Sequence, residues 1–210
     1  MRDHGSNIET FDEMLKARRQ IMSLPEVFMP DDFVYLRGAR EEMFFKLLQL
    51  QFAPNPVEVM DWLLDHGIAS SLTAYGENEK NARAIARQGT MSLTRWTTGV
   101  RRNIQKFPGH MELTNSLKRA CFTHDGKLLL VHACIDESRP LTMQKDQFWW
   151  DNGSFGNINK KFSGFTKVIR GYDHKNGGVD LDNDYTASSR GGCGRGGQLY
   201  AVCFSSVGDV

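Results

Sequence analysis

The stretch Leu128-Leu-Leu-Val-His-Ala-Cys134 constrains this chain more than any other. Four apolar residues in a row, set off by the Asp125-Gly126 turn signal, read as a short strand buried on both faces. That strand delivers His132 at its carboxyl end, where open α/β sheets gather their ligands. An imidazole there can ligate a metal or move a proton. The plainer alternative, a buried histidine satisfied by a backbone carbonyl, stands beside it.

Around this strand the chain alternates between helical and extended patterns. Asn7 can cap a helix over 8–22, with Ile8, Phe11, Met14, Leu15 and Ile21 on its apolar stripe. Pro25 and Pro30 punctuate its exit. Phe33-Val-Tyr-Leu36 reads as a buried strand, Arg37-Gly-Ala-Arg40 as the turn after it, and Glu41 starts a helix reaching about Gln51. Helix, strand, turn, helix is the rhythm of an α/β sheet. Asn55 and Pro56 then open a helix that Gly67 stops, Leu72–Gly76 is a connector, and further helices cover 77–88 and 92–106. The segment 54–110 is therefore expected to be a helical insertion, with Trp62 and Trp96 in its core. Ala120–Thr123 and Leu128–His132 form a hairpin by their Asp-Gly signal. Phe165–Ile169 is another strand, ending at Arg170-Gly-Tyr-Asp-His174, and Leu199–Phe204 is the last.

The glycine run Gly191-Gly-Cys-Gly-Arg-Gly-Gly197 permits a tight entrance to a strand, a phosphate cradle or an Arg-Gly nucleic-acid tract. It leads into an expected strand rather than a helix, which favours the first. The 26 basic and 25 acidic residues nearly cancel, so no field argues for nucleic acid or an anionic membrane surface. The first six residues lack the apolar core of a signal peptide, and no apolar run is long enough for a bilayer. Four widely spaced cysteines form no Cys-x-x-Cys pair, which fits reduced thiols and a cytoplasmic location. At 210 residues one domain is expected over 1–210.

Several strand-end turns, taken together and in order, resemble one family. Leu36-Arg-Gly-Ala-Arg-Glu-Glu-Met43 is similar to the Leu-Arg-Gly-Asn-His-Glu-x-Met segment of calcineurin-like metallophosphoesterases, in their bacterial serine/threonine phosphatase and diadenosine tetraphosphatase branch. Leu72-Thr-Ala-Tyr-Gly76 resembles their Thr-Leu-x-Ser-Tyr-Gly. Leu130-Val-His-Ala-Cys-Ile135, with Arg139-Pro-Leu and Gln144, is similar to Phe-Val-His-Ala-Gly-Ile…Pro-Leu…Gln. Val168-Ile-Arg-Gly-Tyr-Asp173 resembles Val-Val-x-Gly-His-Thr, and the final glycine run with Ala201-Val-Cys-Phe204 resembles the closing strand pair. The resemblance implies an α/β fold with a β-sandwich flanked by helices, without the opening strand. It implies hydrolysis of phosphoesters by a pair of divalent metals (manganese, iron or zinc) that bridge a hydroxide, with a histidine protonating the leaving oxygen. It also implies a phosphorylated protein or a nucleotide as partner.

The same comparison exposes departures. The family's Gly-Asp-x-His-Gly motif has no counterpart in these 210 residues, and most of its second motif is missing. Its Asn-His pair is Ala39-Arg40 here, so Arg40 stands at the general-acid position, and arginine stays protonated at any workable pH. A further metal-binding histidine is Tyr172. His132 remains a clear ligand position, and His174 lies two residues past another. Arg37, Arg139 and Arg170 are the expected phosphate-binding residues, with Arg40 as a fourth guanidinium near the same strand ends. One imidazole cannot hold a metal pair. The resemblance therefore implies a hydrolase by lineage that is weak or silent in this form. Two alternatives stand beside it: an active hydrolase whose site is completed by missing N-terminal residues or by unusual ligands such as Cys134, Asp173 and His174, or a non-catalytic module that binds phosphate, a nucleotide or, through 54–110 and Phe148-Trp149-Trp150, another protein.

Overall fold

The structure is a computed structural model that describes residues 7–24, 29–151, 153–173, 178–193 and 196–209. The chain is mixed α/β, and its contacts divide it into two compact units. A helical unit comprises residues 1–33 and 40–116, and a sheet unit comprises 34–39 and 117–210.

The helical unit extends well beyond the expected 54–110. Helix α1 (Asn7–Met22) takes in Asn7 as a helical residue rather than a cap. Helix α2 (Ala39–Leu48) ends where Arg101 Nη2 donates to the Leu48 carbonyl at 2.6 Å, satisfying an orphan acceptor of the last turn. Helix α3 (Pro56–Leu63) begins as expected: Pro56 needs no N–H there, and Asn55 Oδ1 accepts from the Glu58 N–H at 3.4 Å. Gly67 does not stop this run. With φ at +94° it bends the chain through a wide turn at Leu64–Ile68 into α4 (Ala69–Ala74), so the expected connector at Leu72–Gly76 is largely helix. Asn78 caps α5 (Glu79–Ala86), and α6 (Thr90–Gln105) and α7 (His110–Ser116) follow. Leu93, Val100 and Ile104 recur on one side of α6 and are fully buried, with Leu47, Met60, Ile68, Leu72 and Leu113. Trp96 is buried and its Nε1 donates to Glu77, whereas Trp62 is 42% exposed and stacks on His66 rather than entering the core.

In the sheet unit, β1 (Ala120–Phe122), β2 (Leu128–Val131), β3 (Lys167–Arg170) and β4 (Thr186–Ser188) form one mixed sheet in that order. The β1–β2 hairpin forms where the Asp-Gly signal put it. Gly126 sits at φ +69°, and Asp125 Oδ1 accepts from Thr123 Oγ1 and the Lys127 N–H. β2 runs parallel to β3, with Val131 beside Arg170, and β3 runs parallel to β4, with Arg170 beside Ser188. Alternation then puts Leu129, Val131 and Val168 on one face and Leu128, Ile169 and Ala187 on the other, and both sets are buried. Among its described residues the crossover from β2 to β3 contains no α-helix. It winds through short 3₁₀ turns that press Phe148, Trp149, Phe155 and Ile158 onto the first face. Gln144 staples the loop: its Oε1 accepts from the Asp136 N–H, and its Nε2 donates to the carbonyls of Asp136 and Arg139.

Two expected strands are not formed. Phe33–Leu36 makes only an isolated bridge from Leu36 to Lys118, with hydrogen bonds on either side of it. Leu199–Phe204 is not in a ladder, and Leu199 is 85% exposed. A β-prone pattern becomes a strand only where a neighbour supplies the hydrogen bonds. The four cysteines are free thiols.

Candidate functional site

Parallel pairing brings the carboxyl ends of β2 and β3 side by side, and with them His132 and Tyr172. The Tyr172 N–H donates to the His132 carbonyl at 2.8 Å, which fixes the two backbones. Their rings stack nearly parallel, with centroids 5.1 Å apart and planes 10° from each other. Arg190 adds a cation 5.3 Å from the Tyr172 ring centroid. Burial pushes the His132 pKa down to about 4, so the imidazole is neutral at pH 7 and keeps a lone pair.

Arg170, the last residue of β3, is 7% exposed and lies between two carboxylates. Its Nη1 donates to Asp151 Oδ2 at 2.7 Å and its Nη2 to Asp173 Oδ2 at 2.6 Å, while the guanidinium carbon sits 4.1 Å from the Phe155 ring centroid. Asp151 also accepts from the Gly153 and Ser154 N–H groups through Oδ1. Burial alone would raise the Asp151 pKa, but the Gly153 N–H and the guanidinium outweigh it and hold the carboxyl below its usual range. Nearby, the buried Cys134 thiol lies 3.3 Å from Ser154 Oγ, and burial raises its pKa, which leaves it a poor nucleophile and ligand. Arg170 Nε and Ser188 Oγ are buried without a hydrogen-bond partner among the described residues.

The expected site residues scatter. His132 follows β2 as expected and Arg170 ends β3, and the structure makes these strands neighbours, but Arg170 is consumed by carboxylates. Arg139 is exposed and pairs through Nε with Asp136 Oδ2 at 3.0 Å. Arg37 is half-buried, and its backbone N–H donates to the Lys118 carbonyl. Arg40 belongs to the helical unit, where it lines a pocket built only by helical-unit residues. His174 lies outside the described residues.

The donor set does not fit a metal pair. Among the described residues, no group of three His, Cys, Asp or Glu side chains is placed to hold an ion. His132 is stacked against a tyrosine, and Asp173 is committed to Arg170. What the geometry can do is hold a neutral imidazole, a phenol and guanidiniums at one sheet end.

Asp151 escaped sequence reasoning. Its signal was the Asp-x-Gly spacing of Asp151 and Gly153, a side-chain-to-backbone turn whose second oxygen is left for a partner. By the resemblance Tyr172 is only a lost histidine; in the structure it is the ring that covers His132. Among the described residues no helix is long and apolar enough to cross a membrane. Compared with family models, curated proteins and solved structures, the chain matches none.

Proposed function

We propose that this chain is a metallophosphoesterase-type α/β protein in which metal-dependent hydrolysis is silent, and that it binds a phosphorylated protein or a nucleotide without cleaving it. One observation carries the reading: the His132 imidazole just past β2 lies against Tyr172 just past β3, while the acidic neighbour Asp173 is tied to Arg170. In this reading the four-stranded sheet is one layer of the implied β-sandwich. Arg190, half-buried over Tyr172, is the guanidinium that receives the phosphoryl group. Arg139 and Arg170 are not, because an anion arriving at either meets a carboxylate.

The test joins metal content to turnover. Purified full-length chain, exposed in turn to manganese, iron and zinc and then desalted, is expected to retain no stoichiometric metal and to release no p-nitrophenol from p-nitrophenyl phosphate above the blank. Retention of about two equivalents with turnover sinks the silent half of the reading. ADP is expected to raise the melting temperature, and Arg190→Ala to remove that shift. If neither ADP nor a phosphoserine peptide stabilises the folded protein, the binding half fails.

A further inference from the structure

The balance of 26 basic and 25 acidic residues over the whole chain conceals an uneven distribution. Between residues 80 and 111 stand seven Lys and Arg and no Asp or Glu. Two of these cations are used internally: Arg83 pairs with Asp61, Asp65 and Glu79, and Arg101 donates to the Leu48 carbonyl. Helix α6 sorts three of the others. It buries Leu93, Trp96, Thr97, Val100 and Ile104, which turns its opposite side to solvent. With 3.6 residues per turn, Arg102 and Lys106 both fall within about 20° of Arg95 around the axis. All three are exposed, so they form a straight cationic ridge about 16 Å long. Arg95 and Arg102 have no ion-pair partner among the described residues. Lys106 Nζ donates to Asn103 Oδ1 at 2.8 Å, a neutral partner that leaves its charge in place. Gly99 lies between Arg95 and Arg102, where a Cβ would meet nothing within 4 Å, so the ridge is notched and a partner's backbone can come close.

The surroundings of the ridge select its partner. A protein needs an aromatic or aliphatic anchor near the centre of its interface, and here the centre is a glycine. A lipid surface needs an apolar helix face, and that of α6 is spent on the core, with Met91 left exposed at one end. Single-stranded nucleic acid needs aromatic platforms, and Trp96, the aromatic residue of α6, is buried. A regular row of phosphates needs cations alone. We infer that the α6 ridge docks on the phosphate backbone of a duplex nucleic acid without reading its bases, through Arg95, Arg102 and Lys106. The inference is independent of the reading given to the sheet end.

Fluorescence anisotropy of a labelled DNA duplex of about 20 base pairs, titrated with the full chain at about 10 to 100 mM salt, tests it. With three phosphate contacts the association constant is expected to fall about 500-fold across that range, and a duplex of unrelated sequence to behave alike. Replacing two exposed residues together, Arg95→Gln with Arg102→Gln, is expected to cut that fall to about tenfold. Gly99 is a helical position with room for a side chain, so Gly99→Glu and Gly99→Gln both leave the fold intact. The carboxylate is expected to weaken binding about tenfold at the lowest salt, and the amide to leave it unchanged. No duplex binding by the folded chain at about 10 mM salt, an unchanged salt dependence in the double variant, or equal weakening by the two Gly99 variants each overturns the proposal. Tighter binding of the single strand, of phosphatidylserine vesicles or of poly-L-glutamate through the same arginines overturns it as well.

Discussion

In the helical unit, the buried polar centre is a hydrogen-bonded chain, Tyr75 to His110 to Asp12, and its far end reaches solvent because the Asp12 side chain is 61% exposed. In the sheet unit, the buried polar centre is ionic: Arg170 sits between Asp151 and Asp173, and all three side chains are at most 8% exposed. The first arrangement leaves its carboxylate largely in water, so it costs little desolvation. The second encloses three charges whose mutual attraction must offset their removal from water, so it is stable only when complete. The helical unit can thus tolerate loss of one polar partner, whereas the sheet end cannot.

The sharpest way to break this contrast is Arg170→Met. It leaves two carboxylates buried without their cation, and a loss of about 3–5 kcal/mol is expected in urea unfolding of the full chain. Adding Asp151→Asn and Asp173→Asn to that variant should recover much of the loss, and no recovery would show that Arg170 acts through packing on Phe155 instead. Next in size are two apolar truncations. Leu129→Ala in the sheet and Leu113→Ala in α7 both open fully buried sites, and each is expected to cost about 3 kcal/mol in the same measurement. Equal costs would show that the two units differ in polar centre and not in packing.

The third test is pH. The folded His132 titrates near 4, below the unfolded imidazole near about 6.5, so between those values the unfolded chain binds more protons. Stability is therefore complete above about pH 6.5 and falls as pH drops toward 4, by on the order of 1–3 kcal/mol. His132→Gln should flatten that window. If the wild-type slope survives the substitution, the titrating group is elsewhere. Asp151 acts in a lower window: its depressed carboxyl contributes fully above about pH 4 and is lost as acid protonates it.

The smallest expected effect is in the relay. Tyr75 has its pKa pushed up to about 12 by burial and by the charge of Asp12, so it remains a phenol that donates throughout the working range. Tyr75→Phe removes that donor and strands His110 Nδ1, at a cost of about 1–2 kcal/mol by thermal or urea melting. A loss as large as that of Arg170→Met would erase the contrast between the units.

Much of the fold was legible where one local rule decides the outcome. The Asp125-Gly126 turn, the all-apolar Leu128–Val131 and the Asn55-Pro56 helix start each carry their own signal and formed where expected. Gly67 misled because a glycine with positive φ can bend a helical run as well as end it, and the difference depends on what packs beyond. Strand β4 went unread because Thr186-Ala-Ser188 has too little apolar character to announce itself and is a strand by virtue of pairing with Val168–Arg170. At the sheet end, His132 and Arg170 were legible as strand ends, but only the pairing of β2 with β3 made them neighbours. Their partners were not legible.

By itself, the sequence determined the Asp125-Gly126 turn, the burial of Leu128–Val131 and the imidazole that follows that strand, because these follow from residue size, polarity and backbone preference over a few positions. Only the tertiary structure decided that Tyr172 lies on that imidazole, that Asp151 and Asp173 close on Arg170, and that Arg40 faces a helical pocket. Each of these is a meeting of residues distant in the chain or aimed by a register. Such meetings are set by strand pairing and packing, which no local pattern encodes.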